Sequence, residues 1–244
     1  MNVLFLGRKT SGASALKWLL SQNFPIVGVI IDDHVTAFPV RDVVKRHGLK
    51  LLRYDDYTAD IKTLGDVDLA VSFLHSKKIK DPLLSYPRYG IINFHPAPLP
   101  ALKGCGGYNV AILEGYDQWA VTAHYVTAEI DAGPIIDSFT FSIDAEEETA
   151  QTLERKSQEF LLSLFKKTLR RIREEGRLNT KPNNGGRYIS RADIEAMKGI
   201  VSGDDIDRKI RAFWFPPYDG AWIEIAGVRY TLVNRGILQS ISKL

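Results

Sequence analysis

The chain of 244 residues is poor in cysteine and in long apolar runs, and each scarcity excludes a class of protein. Its single cysteine, Cys105, permits no intramolecular disulfide, and one thiol cannot build a structural zinc site. We therefore predict no metal centre and a reducing compartment. No stretch approaches the ~18 apolar residues of a membrane span, and the opening MNVLFLG is too short for the apolar part of a signal peptide. A cytoplasmic location, away from the membrane, is the expectation.

The chain also lacks a strong charge of either sign. Its formal net charge is +3, from 32 Lys and Arg against 29 Asp and Glu. A dedicated nucleic-acid binder usually has a larger basic excess or basic residues gathered on one face. We therefore expect no nucleic-acid partner, and the mild positive balance suits a phosphorylated small substrate.

What the sequence does contain is an alternation of short β-branched runs and helical patterns. Strands are predicted at residues 2–6, 26–31, 49–52, 69–74 and 90–94, with helices at 11–22, 40–47 and 107–113. Strands at 121–126 and 135–143 follow with no room for a helix between them, and we predict that they pair antiparallel. The fold class predicted is α/β, with a Rossmann-like, mostly parallel mixed sheet flanked by helices.

The second half of the chain changes in character. Residues 146–175 form the pattern of one long amphipathic helix, and a looser stretch, 179–187, leads into a small unit. That unit is predicted to contain a helix at 204–213 and a β-hairpin of residues 222–225 and 228–233 around Ala226-Gly227. We assign residues 1–178 to a catalytic domain and residues 179–244 to the linker and the small C-terminal unit.

Residues 91–107, IINFHPAPLPALKGCGG, hold the most informative pattern. Asn93 and His95 lie two apart at the carboxyl end of a predicted strand, so they point the same way, at the edge where open α/β sheets bind ligands. Asp131 lies in a glycine-bounded turn, EIDAGPIID, within possible reach of His95. On spacing alone, an Asn-x-His pair at a strand end is more often a hydrogen-bonded turn than a catalytic pair, and both interpretations stay open.

An amide, an imidazole and a carboxylate suit acyl transfer to an amine. Attack on a formyl carbonyl builds negative charge on its oxygen, which the Asn93 amide and a protonated His95 can stabilise. Asp131 can orient His95 and raise its pKa, and Asp131 or a bound water can take the proton that the amine loses.

The run INFHPAPLP, followed by AILEG, VTAHYV and DAGPII, resembles the folate-dependent formyltransferase family. That family has an Asn-x-His-Pro pattern, a loop ending in Leu-Pro and an Asp-x-Gly turn about thirty residues later. The resemblance covers roughly residues 1–140 and implies that Asn93, His95 and Asp131 are catalytic.

The resemblance also implies a binding site for 10-formyltetrahydrofolate as co-substrate. In the family, the strand and loop before the Asn-x-His pattern bind the pterin ring, largely through backbone groups. The implied folate-binding residues are Ser76, Lys77, Lys78, Ile79, Asn93, Ile130 and Asp131. Lys77 and Lys78 have an alternative interpretation as solvated loop charges.

The acceptor amine is inferred from finer resemblances. The sequence KGCGGYN at residues 103–109 resembles the nucleotide-sugar N-formyltransferases, whereas the tRNA enzymes usually have Arg-Gly and then Pro-Ile. The first loop faces the amine substrate in the family, although an ordinary tight turn is the alternative. Aromatic residues near the C-terminus can stack on a base, or can instead pack the small C-terminal unit onto the main domain. The implied substrate-binding residues are Lys9, Thr10, Ser11, Gly106, Tyr108, Phe213 and Tyr218.

The sequence therefore predicts an enzyme that formylates a dTDP-linked amino sugar for bacterial surface polysaccharide such as the O-antigen of lipopolysaccharide. Only a hairpin stands where a tRNA enzyme would continue into a barrel, but methionyl-tRNA formylation remains an alternative. A non-catalytic module that binds a sugar nucleotide or folate is another. A homodimer is expected, because the hairpin exposes strand edges that need covering.

Overall fold

A seven-stranded sheet is the centre of the computed structural model, which describes residues 1–31, 35–53, 61–176 and 178–241. The strand order is β3-β2-β1-β4-β5-β7-β8, parallel as far as β5 and antiparallel for the last two strands. The predicted mixed α/β sheet is confirmed. The strands are β1 (Val3–Gly7), β2 (Ile26–Ile31), β3 (Leu51–Arg53), β4 (Leu69–Phe73), β5 (Ile91–His95), β7 (Gln118–Tyr125) and β8 (Ile135–Ser142).

Both faces of this sheet are buried. One face packs against α1 (Lys9–Ser21), α2 (Phe38–Arg46) and a long helix, α4 (Ala150–Glu175), with Phe5, Phe73 and Phe165 in the shared core. The opposite face is covered by a 3₁₀ turn (Ile61–Leu64) and by the apolar side chains of residues 79–91. Strands buried on both faces explain why β1, β2 and β4 read as continuous apolar runs.

The long helix begins four residues later than its pattern predicts. Thr149 caps it, since the Thr149 side chain accepts a hydrogen bond from the Thr152 N–H at 3.1 Å and the Thr152 hydroxyl bonds back to the Thr149 N–H. This reciprocal capping satisfies orphan donors of the first turn. Although α4 has 26 residues, charges interrupt it, and no helix in the described ranges is long and apolar enough to cross a membrane.

The chain returns to the main sheet after α4. Strand β9 (Arg187–Ile189) pairs in parallel with β6 (Leu102–Gly104), so the expected loose linker is in part an ordered strand beside the segment that follows His95. The predicted hairpin is confirmed as β10 (Trp222–Ile225) and β11 (Val228–Thr231), and the predicted helices as α3 (Gly107–Leu113) and α6 (Ile206–Phe213). Two further helices, α5 (Arg191–Met197) and α7 (Arg235–Ile241), were not predicted.

Arg211 joins the C-terminal unit to the main domain. Its guanidinium is buried and donates to the carbonyl oxygens of Ala145 and Glu148, just before α4, while also pairing with Asp207. From the other side, the Asn109 side chain of α3 donates to the Ala212 carbonyl at 2.7 Å. The last turn of helix α6 is therefore bound to the main domain from two sides.

Candidate active site

A row of polar side chains crosses the otherwise apolar sheet. Ser72 of β4 is the register partner of Asn93 in β5, and Asn93 is the partner of His124 in β7. Residues paired across neighbouring strands lie on the same face, so the three side chains are adjacent. Ser72 and His124 are almost fully buried, at 2% and 1% exposed.

This row fixes the orientation of the Asn93 amide. The Ser72 hydroxyl donates to Asn93 Oδ1 at 2.8 Å, and Asn93 Nδ2 lies 3.1 Å from His124 Nε2. His124 Nδ1 faces the Tyr125 carbonyl at 2.8 Å, and since a carbonyl only accepts, Nδ1 carries a proton. In the neutral ring, Nε2 is then the acceptor for the Asn93 amide. The result is a donor held at the end of β5.

His95 closes β5 and is buried, at 6% exposed. Its Nε2 faces the Leu102 carbonyl at 3.1 Å, and its Nδ1 lies 3.5 Å from Asp131 Oδ2. The proline-rich loop after His95 is held to β7, because the Thr122 hydroxyl donates to the Ala97 carbonyl at 2.9 Å. The Leu99–Pro100 peptide in this loop is cis.

Asp131 reaches the same point from the turn between β7 and β8. Its φ is +50°, in the left-handed region, and its carboxylate accepts a hydrogen bond from the Gly104 N–H at 2.9 Å. Oδ1 lies 3.4 Å from Asn93 Nδ2 and 3.5 Å from His124 Nε2. Two residues later, a Cβ on Gly133 would stand 1.8 Å from the Tyr125 carbonyl oxygen, so the turn can close only with glycine there.

The structure thus brings Asn93, His95 and Asp131 together. The pKa of His95, however, differs in part from expectation. Burial lowers the pKa of His95 below its ordinary value, and His124 adds to this, while Asp131 and the Leu102 carbonyl act to raise it. The expected effect of the carboxylate is therefore present but smaller than that of burial. For Asp131, burial acts to raise the pKa, but His95, His124 and the Gly104 N–H together lower it to about 2. Asp131 is ionised at neutral pH.

A cavity of about 350 Å³ opens in front of these groups. Every residue predicted to bind folate lines it: Ser76, Lys77, Lys78, Ile79, Asn93, Ile130 and Asp131. Gly106 and Tyr108, predicted to bind the acceptor, line the same cavity, as does the exposed Cys105. Burial raises the pKa of the Tyr108 hydroxyl, so Tyr108 stays neutral. The placement agrees with the predicted site, whereas the individual binding roles stay predictions.

A second cavity, of about 340 Å³, lies at the start of α1. Lys9 and Thr10 line it, together with Phe215, whose ring centroid is 5.7 Å from Lys9 Nζ. Lys9 forms an ion pair with Glu154 of α4, and the Ser11 hydroxyl donates to Gln158. The first loop therefore faces a cavity as predicted, but its lysine already has an anionic partner.

The predicted role of Phe213 in binding is wrong. Phe213 is 2% exposed and packs in the core between α3 and α6, so no ring face is open to a base. Helix α6 turns Phe213 inward, and the chain that leaves the helix carries Phe215 to the second cavity instead. Tyr218 is 57% exposed, with its ring centroid 5.9 Å from that of Phe215.

Three residues of the site were not predicted from the sequence. Ser72 and His124 are recognisable only once the strand register is known, although His124 stands out as a histidine in the apolar run VTAHYV. Asn183 lies far along the chain, and its side chain donates to the carbonyl oxygens of Asp131 and Gly133. No local pattern around Asn183 marks it.

This geometry can support acyl transfer without a covalent enzyme intermediate. A carbonyl oxygen placed near Asn93 Nδ2 would receive a hydrogen bond from a pre-oriented amide, an effect worth about 10²–10³-fold in rate. Asp131, ionised and next to His95, can accept a proton from an incoming ammonium directly or through water.

Comparison with known proteins agrees with this chemistry. A sequence profile of the formyl transferase family matches residues 37–169, more than half of the chain. The methionyl-tRNA formyltransferase of Bacillus mycoides is 26% identical, over 93% of this chain and 76% of that protein.

Two solved structures share the fold. A Helicobacter canadensis N-formyltransferase in complex with folinic acid and dTDP-3-aminofucose superposes with a TM-score of 0.75, at 21% identity over 92% of this chain and 84% of that one. A 4-N formyltransferase from Francisella tularensis gives 0.79, at 20% identity over 96% of each chain. The chain therefore belongs to the formyl transferase family, and it is an enzyme of formyl group transfer.

Proposed function

We propose that this enzyme transfers a formyl group from 10-formyltetrahydrofolate to the amine of a nucleotide-linked amino sugar, with dTDP as the nucleotide. Formyltetrahydrofolate supplies the activated formyl group when it is bound. The observation that carries the proposal is the convergence of Asn93, His95 and Asp131 on one cavity, where Asp131 Oδ2 lies 3.5 Å from His95 Nδ1.

The first cavity has the composition that a pterin needs. Ile79, Val126 and Ile130 supply apolar surface, and the segment 74–79 supplies backbone polar groups along the same wall. In this cavity the formyl group of the folate donor would lie beside Asn93. The Asn93 amide would donate a hydrogen bond to the formyl oxygen as negative charge develops on it. We assign Asn93 the role of oxyanion donor, Asp131 that of proton acceptor and His95 that of the neighbour that stabilises the Asp131 carboxylate from 3.5 Å.

A sugar nucleotide as acceptor is supported by the shape of the whole chain. The Helicobacter canadensis enzyme in complex with dTDP-3-aminofucose superposes over 92% of this chain and 84% of its own, and the Francisella tularensis 4-N formyltransferase over 96% of each. The second cavity offers Lys9 and Thr10 for phosphate oxygens and the ring of Phe215 for a base. Lys9 would exchange Glu154 for the substrate phosphate, and Tyr218 would extend the aromatic surface beside Phe215.

The direct test is turnover. Purified protein is given 10-formyltetrahydrofolate and a panel of dTDP-linked 3-amino and 4-amino deoxysugars, and the formylated product is measured by mass spectrometry. The proposal predicts one efficient acceptor and its loss in His95→Asn. If no amino sugar is formylated, the acceptor assignment is wrong.

Methionyl-tRNA formylation is the second candidate, and the 26% identity to the Bacillus mycoides enzyme over 93% of this chain favours it. Charged initiator tRNA in the same assay separates the two, because formyl-methionine at low enzyme concentration would establish the second candidate. A non-catalytic binding module is a third: tight binding of folate and sugar nucleotide without turnover would support it.

We also propose that the enzyme is a cytoplasmic homodimer with a role in bacterial surface polysaccharide synthesis, residues 1–178 forming the catalytic domain and 179–244 the linker and C-terminal unit. Support for the dimer comes from the hairpin, one face of which is apolar: Ile225, Val228 and Tyr230 are 57%, 51% and 49% exposed. Sedimentation velocity of the wild type and of Val228→Lys tests the dimer, since a charge on this face should dissociate it.

A further inference from the structure

We infer that Asn183 is a positioning residue of the active site, holding the Asp131 turn so that its carboxylate meets His95. The inference rests on the catalytic role proposed above for Asp131. Asn183 belongs to residues 181–189, which we call the return segment because it brings the chain back from α4 to the catalytic loops.

The contacts of Asn183 are specific to the turn. Both hydrogens of its Nδ2 amide are used, one on the Asp131 carbonyl at 2.9 Å and one on the Gly133 carbonyl at 2.8 Å. Asn183 is 6% exposed, so these carbonyls have little access to water in its place. The amide thus bridges the two ends of the sharpest part of the turn.

The turn needs such a bridge because it is conformationally unfavourable. Asp131 has a φ of +50°, and the backbone at Gly133 lies so close to the Tyr125 carbonyl that no Cβ fits between them. Without the two hydrogen bonds, the left-handed conformation at Asp131 loses its main support. The carboxylate, 3.5 Å from His95 and already at the limit of a hydrogen bond, would then move away.

The return segment is itself fixed to both sides of the site. Lys181 exchanges backbone hydrogen bonds with Ile135 at 2.7 and 2.9 Å, which anchors the segment at the start of β8. Beyond Asn183, the Arg187 N–H donates to the Ala101 carbonyl at 2.9 Å, next to the loop that carries the Leu102 partner of His95. Asn183 therefore lies in the same segment that contacts the loop after His95. Through this segment the position of the Asp131 turn is connected to that of His95.

The test compares Asn183→Leu and the milder Asn183→Ala with Asn184→Ala, a matched control because Asn184 is the exposed neighbouring asparagine. The readout is the pKa of His95 by NMR of the ¹³C-labelled histidine rings, with the resonance identified by its absence in His95→Gln. This readout needs no acceptor. Asp131 and His124 are the titratable groups that face His95, and a retreating Asp131 would lower its pKa by about half to one unit.

Three results support the inference together. Both Asn183 variants lower the pKa of His95, Asn184→Ala leaves it unchanged, and Asn183→Leu has no further effect in an Asp131→Asn background. With the true acceptor, kcat should fall about 10–100-fold while the KM for folate changes less than about 2-fold. A lower melting temperature with an unchanged His95 pKa would overturn the inference, because Asn183 would then support only the fold. Full activity of Asp131→Asn would instead overturn the catalytic role proposed for Asp131. The NMR comparison would still show whether Asn183 holds the Asp131 carboxylate next to His95.

Discussion

Replacing the buried carboxylate of Asp131 with an amide should lower the free energy of unfolding. The size of this loss should depend on pH and be largest at an intermediate pH. The folded-state pKa of Asp131 is about 2, against 3.8 for an unperturbed aspartate. The difference of about 1.8 units corresponds to about 2.5 kcal/mol, at about 1.4 kcal/mol per unit. Because the pKa is depressed, this stabilisation is present above pH 3.8 and is lost as the pH falls towards 2.

The other side of the maximum comes from His95. Its positive charge is the largest of the effects that lower the pKa of Asp131, and burial lowers the pKa of His95 itself below 6.5. As the pH rises through that lowered pKa, His95 loses its charge and part of the stabilisation with it. The free energies of unfolding of wild type and Asp131→Asn should therefore differ by about 2.5 kcal/mol between pH 3.8 and the lowered pKa of His95, and this difference should narrow both below and above that range.

Urea unfolding followed by tryptophan fluorescence at pH 3, 4, 5, 6 and 7 measures this difference. Asp219→Asn, at an exposed aspartate, is the control and should stay within about 0.5 kcal/mol of the wild type at each pH. A constant difference over the series, or one largest at pH 3, would refute the reasoning, because the ion pair would then contribute nothing.

Three further changes have defined expectations. His124→Ala should lower kcat about 10–100-fold with a smaller effect on folate binding, because the Asn93 amide loses the acceptor that orients it, and steady-state kinetics would show this. Gly133→Ala should abolish activity and lower the melting temperature sharply, whereas Gly176→Ala, which meets no neighbour but has a φ of +75°, should cost only about 1 kcal/mol in thermal unfolding. Arg211→Ala should destabilise the protein by about 3 kcal/mol in urea, since it leaves the carbonyls before α4 without their buried donor; a loss below 0.5 kcal/mol would contradict the anchoring role.

The sequence was a good guide where local pattern decides structure. The apolar runs predicted the strands of the sheet, the short gap after residue 126 predicted the antiparallel pair, and Ala226-Gly227 predicted the hairpin. The spacing of Asn93, His95 and Asp131 left a structural interpretation open, and the resemblance to the formyltransferases identified them as catalytic. The strand end and the glycine-bounded turn predicted only that they could lie within reach of one another.

What the sequence could not supply depends on contacts between distant segments. His124 becomes part of the site through strand register, and Asn183 through a segment that returns after a 26-residue helix. Phe213 and Phe215 are two residues apart in a run of aromatics, and only the end of α6 decides which one faces the core. The net effect on the pKa of His95 likewise needed the depth of burial, which a motif does not reveal.

The polar row of Ser72, Asn93 and His124 is structurally separate from the second cavity. Its members sit on three hydrogen-bonded strands, so their spacing is as rigid as the sheet itself. The second cavity, in contrast, is lined by the start of α1, by Thr36 and Pro39 around the start of α2, by α4 and by the chain after α6, none of which contributes to that row. If the second cavity binds the acceptor, as proposed above, substitutions around Lys9 or Phe215 should change which amine is accepted without disturbing the reacting atoms.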